Sequence, residues 1–320
     1  MDLGRREVLR LAAGMAAMHV VPGGAAATSY PARTVRIVVG FAPGAGPDII
    51  ARLTADWLTQ RFGQPFIVED RPGAAGNIAT ADVIRAAPDG HTLLHITVAN
   101  AIHPRVSNGS WFPTDIAPIA AVARASFFLV ANPSIAVRTV PELIAYAKAN
   151  PGKIAMGSSS VGTAPYLAGT LFKVMTGADL LQVPYNGTPQ AITELLAGRL
   201  QVVFADPSAV EHIKAGKLRA LAVTAATRQH ILPDVPSIGE FVPGYEASTW
   251  HGLGAPSKVA SEIANSLNKE INAGLADTSI RSRLAKMGCT VMGGSAADFG
   301  QLIADEIAKW NRVMAAANIR

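Results

Sequence analysis

One cysteine in 320 residues, Cys289, rules out an intrachain disulfide and a cysteine-rich metal cage. Charged residues are also sparse, at 16%, and aromatics sparser, at 6%, against 49% hydrophobic residues; such a chain buries a core and does not stay disordered. Blocks of like charge are missing. Lys and Arg exceed Asp and Glu by 28 − 23 = +5, but they stand singly, which speaks against nucleic acid and suits a small anionic ligand. The apolar stretch at residues 11–21 would span only about 16 Å as a helix, against a hydrocarbon core of about 30 Å, so no stable membrane insertion is expected. Gly 29 and Pro 21 indicate many tight loops without collagen-like or low-complexity sequence.

Catalytic signatures are missing too. Gly44-Ala45-Gly46 has no third glycine at dinucleotide spacing, and no phosphate-loop string with its Gly-Lys-Ser/Thr ending exists. Around Ser159 the closing glycine of a nucleophile elbow is replaced by Val161. His91 and His95 share a face of a predicted strand without making a metal motif. Asp48 has the position of a base but already serves as a first-turn acid of a helix. No cofactor, no metal and no catalytic activity are expected.

What is present begins with a leader. Arg5, Arg6 and Arg10 precede the apolar stretch, and small residues close it at Ala25-Ala26-Ala27, the order of an export signal cleaved after residue 27. The string Arg5-Arg6-Glu7-Val8-Leu9-Arg10 is similar to a twin-arginine signal, with an ordinary secretory signal as the alternative. A cysteine-poor exported chain suits the periplasm.

Beyond the leader, strands alternate with helices. Val35-Arg36-Ile37-Val38-Val39 reads as a strand, residues 40–47 as a Gly-rich loop, and Ile49, Ile50, Leu53, Trp57 and Leu58 recur at helical spacing up to Gly63. The unit repeats as strand 65–68, loop 69–76 and helix 77–85, and a third strand covers 91–96. Segments 119–123 and 127–130 are extended and apolar. A second series follows: helix 140–149, begun by a Thr139/Glu142 capping signature; strand 154–156; a stripe at Leu167, Leu171, Val174 and Met175; and strand 180–183. Thr188-Pro189 then opens a helix, with strand 202–204, a short helix capped by Ser208 and Glu211, and strand 218–224. Residues 247–254 are extended again, and two helices, near 260–275 and 296–317, finish the chain. The expected fold class is α/β with mostly parallel sheet, in two lobes joined by two extended crossings that permit hinge closure. The first lobe would comprise residues 28–122 and 250–320, the second 123–249.

Several small-residue loops each lie between a strand and a helix. A helix start carries unpaired backbone N–H groups and partial positive charge, so it attracts a carboxylate without a lysine or arginine. In a parallel sheet such loops share the carboxyl edge, where ligands sit. Loops 43–46 and 73–76, faced by loop 158–163 from the other lobe, would form a cleft for a small anion.

The strings YPARTVRIVVGFAPGAGPDIIARL, GQPFIVEDRPGAAGNIAT, NPGKIAMGSSSVGT, VPYNGTPQAITELLAGRLQVVF, KAGKLRALAVT and LPDVPSIGEFVPGYEASTWHGLGAP cover most of the chain after the leader. In order and content it resembles the Bug family, the periplasmic solute-binding receptors of tripartite tricarboxylate transporters. The resemblance implies a Venus-flytrap receptor, working as a monomer, that captures a small organic acid and hands it to a membrane permease. It implies that one carboxylate is held through backbone amides and waters by Phe41, Ala42, Pro43, Gly44, Ala45, Gly46 and Asp48, and by Pro72, Gly73, Ala74, Ala75, Gly76 and Asn77. Thr97, Ala99 and Asn100 from the first lobe and Ser158, Ser159, Ser160, Gly162 and Thr163 from the second complete the cleft, with Asp206 nearby. A ligand sensor for a signalling partner and an enzyme on the same scaffold are the alternatives. Three departures stand out: Ala45 and Pro47 where glycine and threonine are common, His91 in place of a tyrosine, and a segment at 204–207 one residue short. An acid at Asp206 suits a ligand amine or repels a second carboxylate.

Overall fold

The computed structural model describes residues 30–100 and 114–317; the expected leader at 1–27 lies outside them. The first strand, β1 (Val35–Val39), buries Val35, Ile37 and Val39 in one apolar cluster and Val38 in another. Successive strand side chains point to opposite faces, and a strand covered on both sides reads as an almost continuous apolar run. Its one charge, Arg36, reaches the rim and pairs with Glu69 at 2.7 Å and Asp82 at 3.3 Å.

Helix α1 (Gly46–Phe62) has Pro47 and Asp48 in its first turn and ends at Gly63, whose left-handed conformation lets its N–H close on the Thr59 carbonyl. Then come β2 (Phe66–Asp70), α2 (Asn77–Ile84) and β3 (Thr92–Thr97). The long β4 (Ile116–Ser126) leads directly into the second lobe, made of β5 (Phe128–Ala131), α3 (Val140–Ala149), β6 (Ile154–Ser158), α4 (Ala164–Thr176), β7 (Leu180–Pro184), α5 (Thr188–Leu196), β8 (Val202–Ala205), α6 (Val210–Lys214) and β9 (Arg219–Val223). The chain returns through β10 (Ser248–Pro256) to α7 (Ser261–Ala276), α8 (Thr278–Lys286), β11 (Cys289–Val291) and α9 (Ala296–Ala316).

Among the described residues these strands form a six-stranded sheet, β11-β4-β10-β3-β1-β2, and a five-stranded sheet, β7-β6-β8-β5-β9. Both are mixed where the sequence suggests mostly parallel ones. β1 pairs parallel with β2 and β3, and β6 with β7 and β8, but the crossing strands β4, β10 and β5 pair antiparallel. A chain that enters a lobe and comes back must run the opposite way.

Where the two crossings meet, Phe127 N–H donates to Thr224 Oγ1 at 2.8 Å, Thr224 N–H to the Phe127 carbonyl at 2.8 Å, and Ala247 N–H to the Thr224 carbonyl at 3.0 Å. In the first lobe one face carries α1, α7 and α8, and the other α2 and α9. α9 also packs on α4 of the second lobe, and its buried Phe299, Ile303 and Trp310 share one apolar cluster with Trp250, Leu167 and Phe172.

Three local expectations are corrected. Two final helices become three plus a short strand, because Asp277 caps α8 through the N–H groups of Ser279 and Ile280 and interrupts the helical stretch. Ser208 is not a cap: Asp206 caps a single turn at Pro207–Ala209 by accepting from Ser208 N–H, and α6 follows without a side-chain cap. At α5 the cap position is Gly187, and Thr188 is the first helical residue.

Candidate ligand-binding site

The parallel register fixes where the loops lie. β1, β2 and β3 run together, so residues 40–46, 71–76 and 98–100 all leave one edge of the first sheet. β2 and β3 flank β1 on opposite sides, the arrangement that opens a crevice at the carboxyl ends. β6, flanked by β7 and β8, repeats it in the second sheet. Thr97 at the end of β3 pairs with His251 near the entry of β10, and Ala205 at the end of β8 pairs with Phe128 at the entry of β5. Both carboxyl edges therefore lie at the ends of their sheets where the chain crosses over.

In the first lobe the two loops and the segment after β3 meet at Gly76, beside Gly40, Phe41 and Asn100. A Cβ on Gly40 would lie 2.4 Å from Gly76 Cα, so the two Gly-rich loops touch backbone to backbone, a distance only glycine permits. The second loop is held in an uncommon conformation: Gly73 (φ 138), Ala74 (φ 47), Ala75 (φ 52) and Gly76 (φ 95) are all at positive φ. Consecutive left-handed alanines cost about 1–2 kcal/mol each, and such strain gathers where a loop must present its backbone to something. Beneath them, Asn100 Oδ1 accepts from Thr97 N–H at 2.8 Å, its amide donates to Thr80 Oγ1 at 2.8 Å, and Thr80 donates to the Gly76 carbonyl at 3.0 Å. All three side chains are buried. Residues 42–44 stay exposed.

Asp48 is buried behind the first loop and accepts the Gly44 N–H at 2.7 Å. It is joined to Arg52 at 2.6 Å, and Arg52 reaches Asp70 at 3.0 Å. Burial, with the Asp48 charge, raises the Asp70 pKa above the usual carboxylate range against the pull of Arg52. Arg71 is similarly committed, to Glu69. Asp48 thus shapes the first loop, and neither arginine here is a free anion receptor.

The second-lobe loop is built on hydroxyls. Thr163 Oγ1 donates to the Ser160 carbonyl at 2.6 Å and pairs with Ser159 Oγ at 2.8 Å; Ser160 Oγ donates to the Tyr185 carbonyl at 3.2 Å, and buried Ser158 Oγ to the Ser159 carbonyl at 3.2 Å. Gly162 (φ 81) turns the loop into α4. Asp206 follows β8 and is half-buried.

The sequence pattern misses Gly40, Thr80 and Tyr185. The last follows β7 and is pinned by its N–H to the Ser158 carbonyl at 2.9 Å; its signal was the strand–loop–helix string VPYNGTP. Also missed is a buried pair under this edge, His95 Nε2 to His251 Nδ1 at 3.1 Å. Burial lowers both, His251 to about 4.

Two α/β lobes with paired strand-end crevices and two antiparallel crossings define the Venus-flytrap fold of periplasmic binding proteins. Residues 50–319 match the tripartite tricarboxylate transporter family receptor, and the chain belongs to that family, whose members are solute-binding proteins and not enzymes. Protein BugT of Bordetella pertussis is 34% identical over 300 residues, 90% of each chain. Among solved structures, R. palustris Rpa4515 with adipate has a TM-score of 0.83 at 35% identity, covering 90% of this chain and 98% of that one. MatC from Rhodopseudomonas palustris with bound malate has a TM-score of 0.79 at 28% identity, covering 89% and 99%. No helix among the described residues is long and apolar enough to cross a membrane.

Proposed function

We propose that the protein is a monomeric periplasmic receptor that captures a small organic acid between its lobes and delivers it to a tripartite transporter permease. The carrying observation is the register that turns both strand-end crevices toward the crossings, with the loops at 40–46 and 73–76 locked together by the Gly40–Gly76 approach. The carboxylate would meet the backbone of residues 42–46 and 73–76, and loop 158–163 with Asp206 would close over the other end. Adipate and malate in the solved relatives support the ligand class. The hinge would lie at Phe127 and at Thr224 with Ala247, where the crossings bond to each other.

The test is a thermal-shift screen of organic acids on purified protein freed of bound ligand. A true ligand at a hundred times its dissociation constant adds about 2.7 kcal/mol. A broad panel without any stabilisation would remove the proposal, and uptake of the hit acid should depend on a tripartite permease in the native host.

A further inference from the structure

The hydroxyl loop of the second lobe can be followed proton by proton. Thr163 gives its only hydroxyl proton to the Ser160 carbonyl, so in its contact with Ser159 it accepts, and the Ser159 proton is committed as well. Ser160 and Ser158 donate to the carbonyls of Tyr185 and Ser159. A hydroxyl has one donor and two acceptor lone pairs; with three protons used inside the loop and that of Ser160 on the neighbouring Tyr185 carbonyl, these four hydroxyls offer the cleft acceptors alone.

Asp206 extends the same wall. β6 and β8 pair in parallel with Gly157 opposite Val203, so continuing that register brings Asp206 level with Ser160 at the carboxyl edge. Pro207 lies on the first lobe, 2.9 Å from where a Cβ on Gly288 would stand, which puts this segment at the boundary between the lobes. Asp206 Oδ1 accepts from Ser208 N–H at 3.0 Å and from its hydroxyl. Among the described residues no lysine or arginine pairs with Asp206, and the arginines of the opposite edge, Arg52 and Arg71, are bound to carboxylates of their own lobe. An ionised carboxylate is an acceptor only.

We infer that the second wall selects a donor at the far end of the ligand, so that the receptor takes a monocarboxylate carrying a terminal hydroxyl or ammonium group in preference to a dicarboxylate. This rests on the carboxylate-receptor proposal and narrows it. A second carboxylate would face lone pairs and the Asp206 charge, and like charges across an interface are strongly disfavoured. The competing arrangement places a second carboxylate on the backbone amides at the start of α4.

Calorimetric titration with length-matched acids separates the two: γ-aminobutyrate and γ-hydroxybutyrate against succinate, and ε-aminocaproate and ε-hydroxycaproate against adipate. The donor-ended acid of at least one set should bind roughly tenfold or more tightly than its diacid. Asp206→Asn keeps a capping oxygen but removes the charge, and should shrink that ratio by about tenfold by strengthening the diacid. Ser208→Ala, which alters the cap and leaves the charge, should not change it. Diacids binding as tightly as donor-ended acids to the unmodified protein, or a ratio indifferent to Asp206→Asn, would overturn the inference while the receptor proposal stands. If no acid binds at all, both fall.

Discussion

His95 and His251 are two imidazoles sharing one 3.1 Å hydrogen bond inside the first lobe, a bond that needs at least one ring neutral to accept, and their burial disfavours a charge on either. Both are held neutral, with His251 at about 4 and His95 well below its ordinary value. The unfolded chain protonates both near 6.5, so between 6.5 and 4 it binds more protons than the fold and stability falls as pH falls. Urea unfolding across that range should show a loss of a few kcal/mol between pH 7 and 4. Replacing both histidines with leucine should flatten that segment; an unchanged slope would mean the pair is not the proton acceptor. The exposed carboxylates act in a lower window: Arg228 and the Ser237 backbone hold Glu240 at about 2, so its contribution is present above its unfolded value and disappears only as pH falls through 2.

At the scale of elements, the first crevice depends on β3, α2 and the loop before α2 acting as one piece through Asn100 and Thr80. Asn100→Ala leaves the Thr97 N–H without its buried partner and Thr80 without a donor. A buried group left unsatisfied costs about 1–3 kcal/mol, so the melting temperature should fall by several degrees, with ligand affinity falling alongside as the Gly76 loop loosens. Affinity preserved in the destabilised protein would show that the network only supports the fold. Most elements were legible, because β-branched runs, Gly ends and helical stripes are local signals. α8 was not: Thr278–Lys286 is mostly polar and is held by the Asp277 cap and by burial of Ile280 and Leu284. β11, three residues long, is too short for any periodicity to show. The site loops were readable as small-residue turns between strand and helix. The Gly40–Gly76 approach and the His95–His251 bond were not, since they join residues 36 and 156 apart (76 − 40 and 251 − 95).

For the whole molecule, the crossings bonded through Thr224 and helix α9 packed against both lobes are the links about which the proposed closure would turn. Selection of the closed arrangement requires a ligand that touches both edges, because only differential contact shifts a two-state equilibrium. The most direct measurement is an amide NMR titration of the isotope-labelled protein with an acid that stabilises it. The account predicts that resonances of residues 40–46, 73–77 and 158–163 shift together along one saturating curve, with Phe127, Thr224 and Ala247 following. Shifts confined to one lobe, or lying away from both strand-end edges, would contradict it.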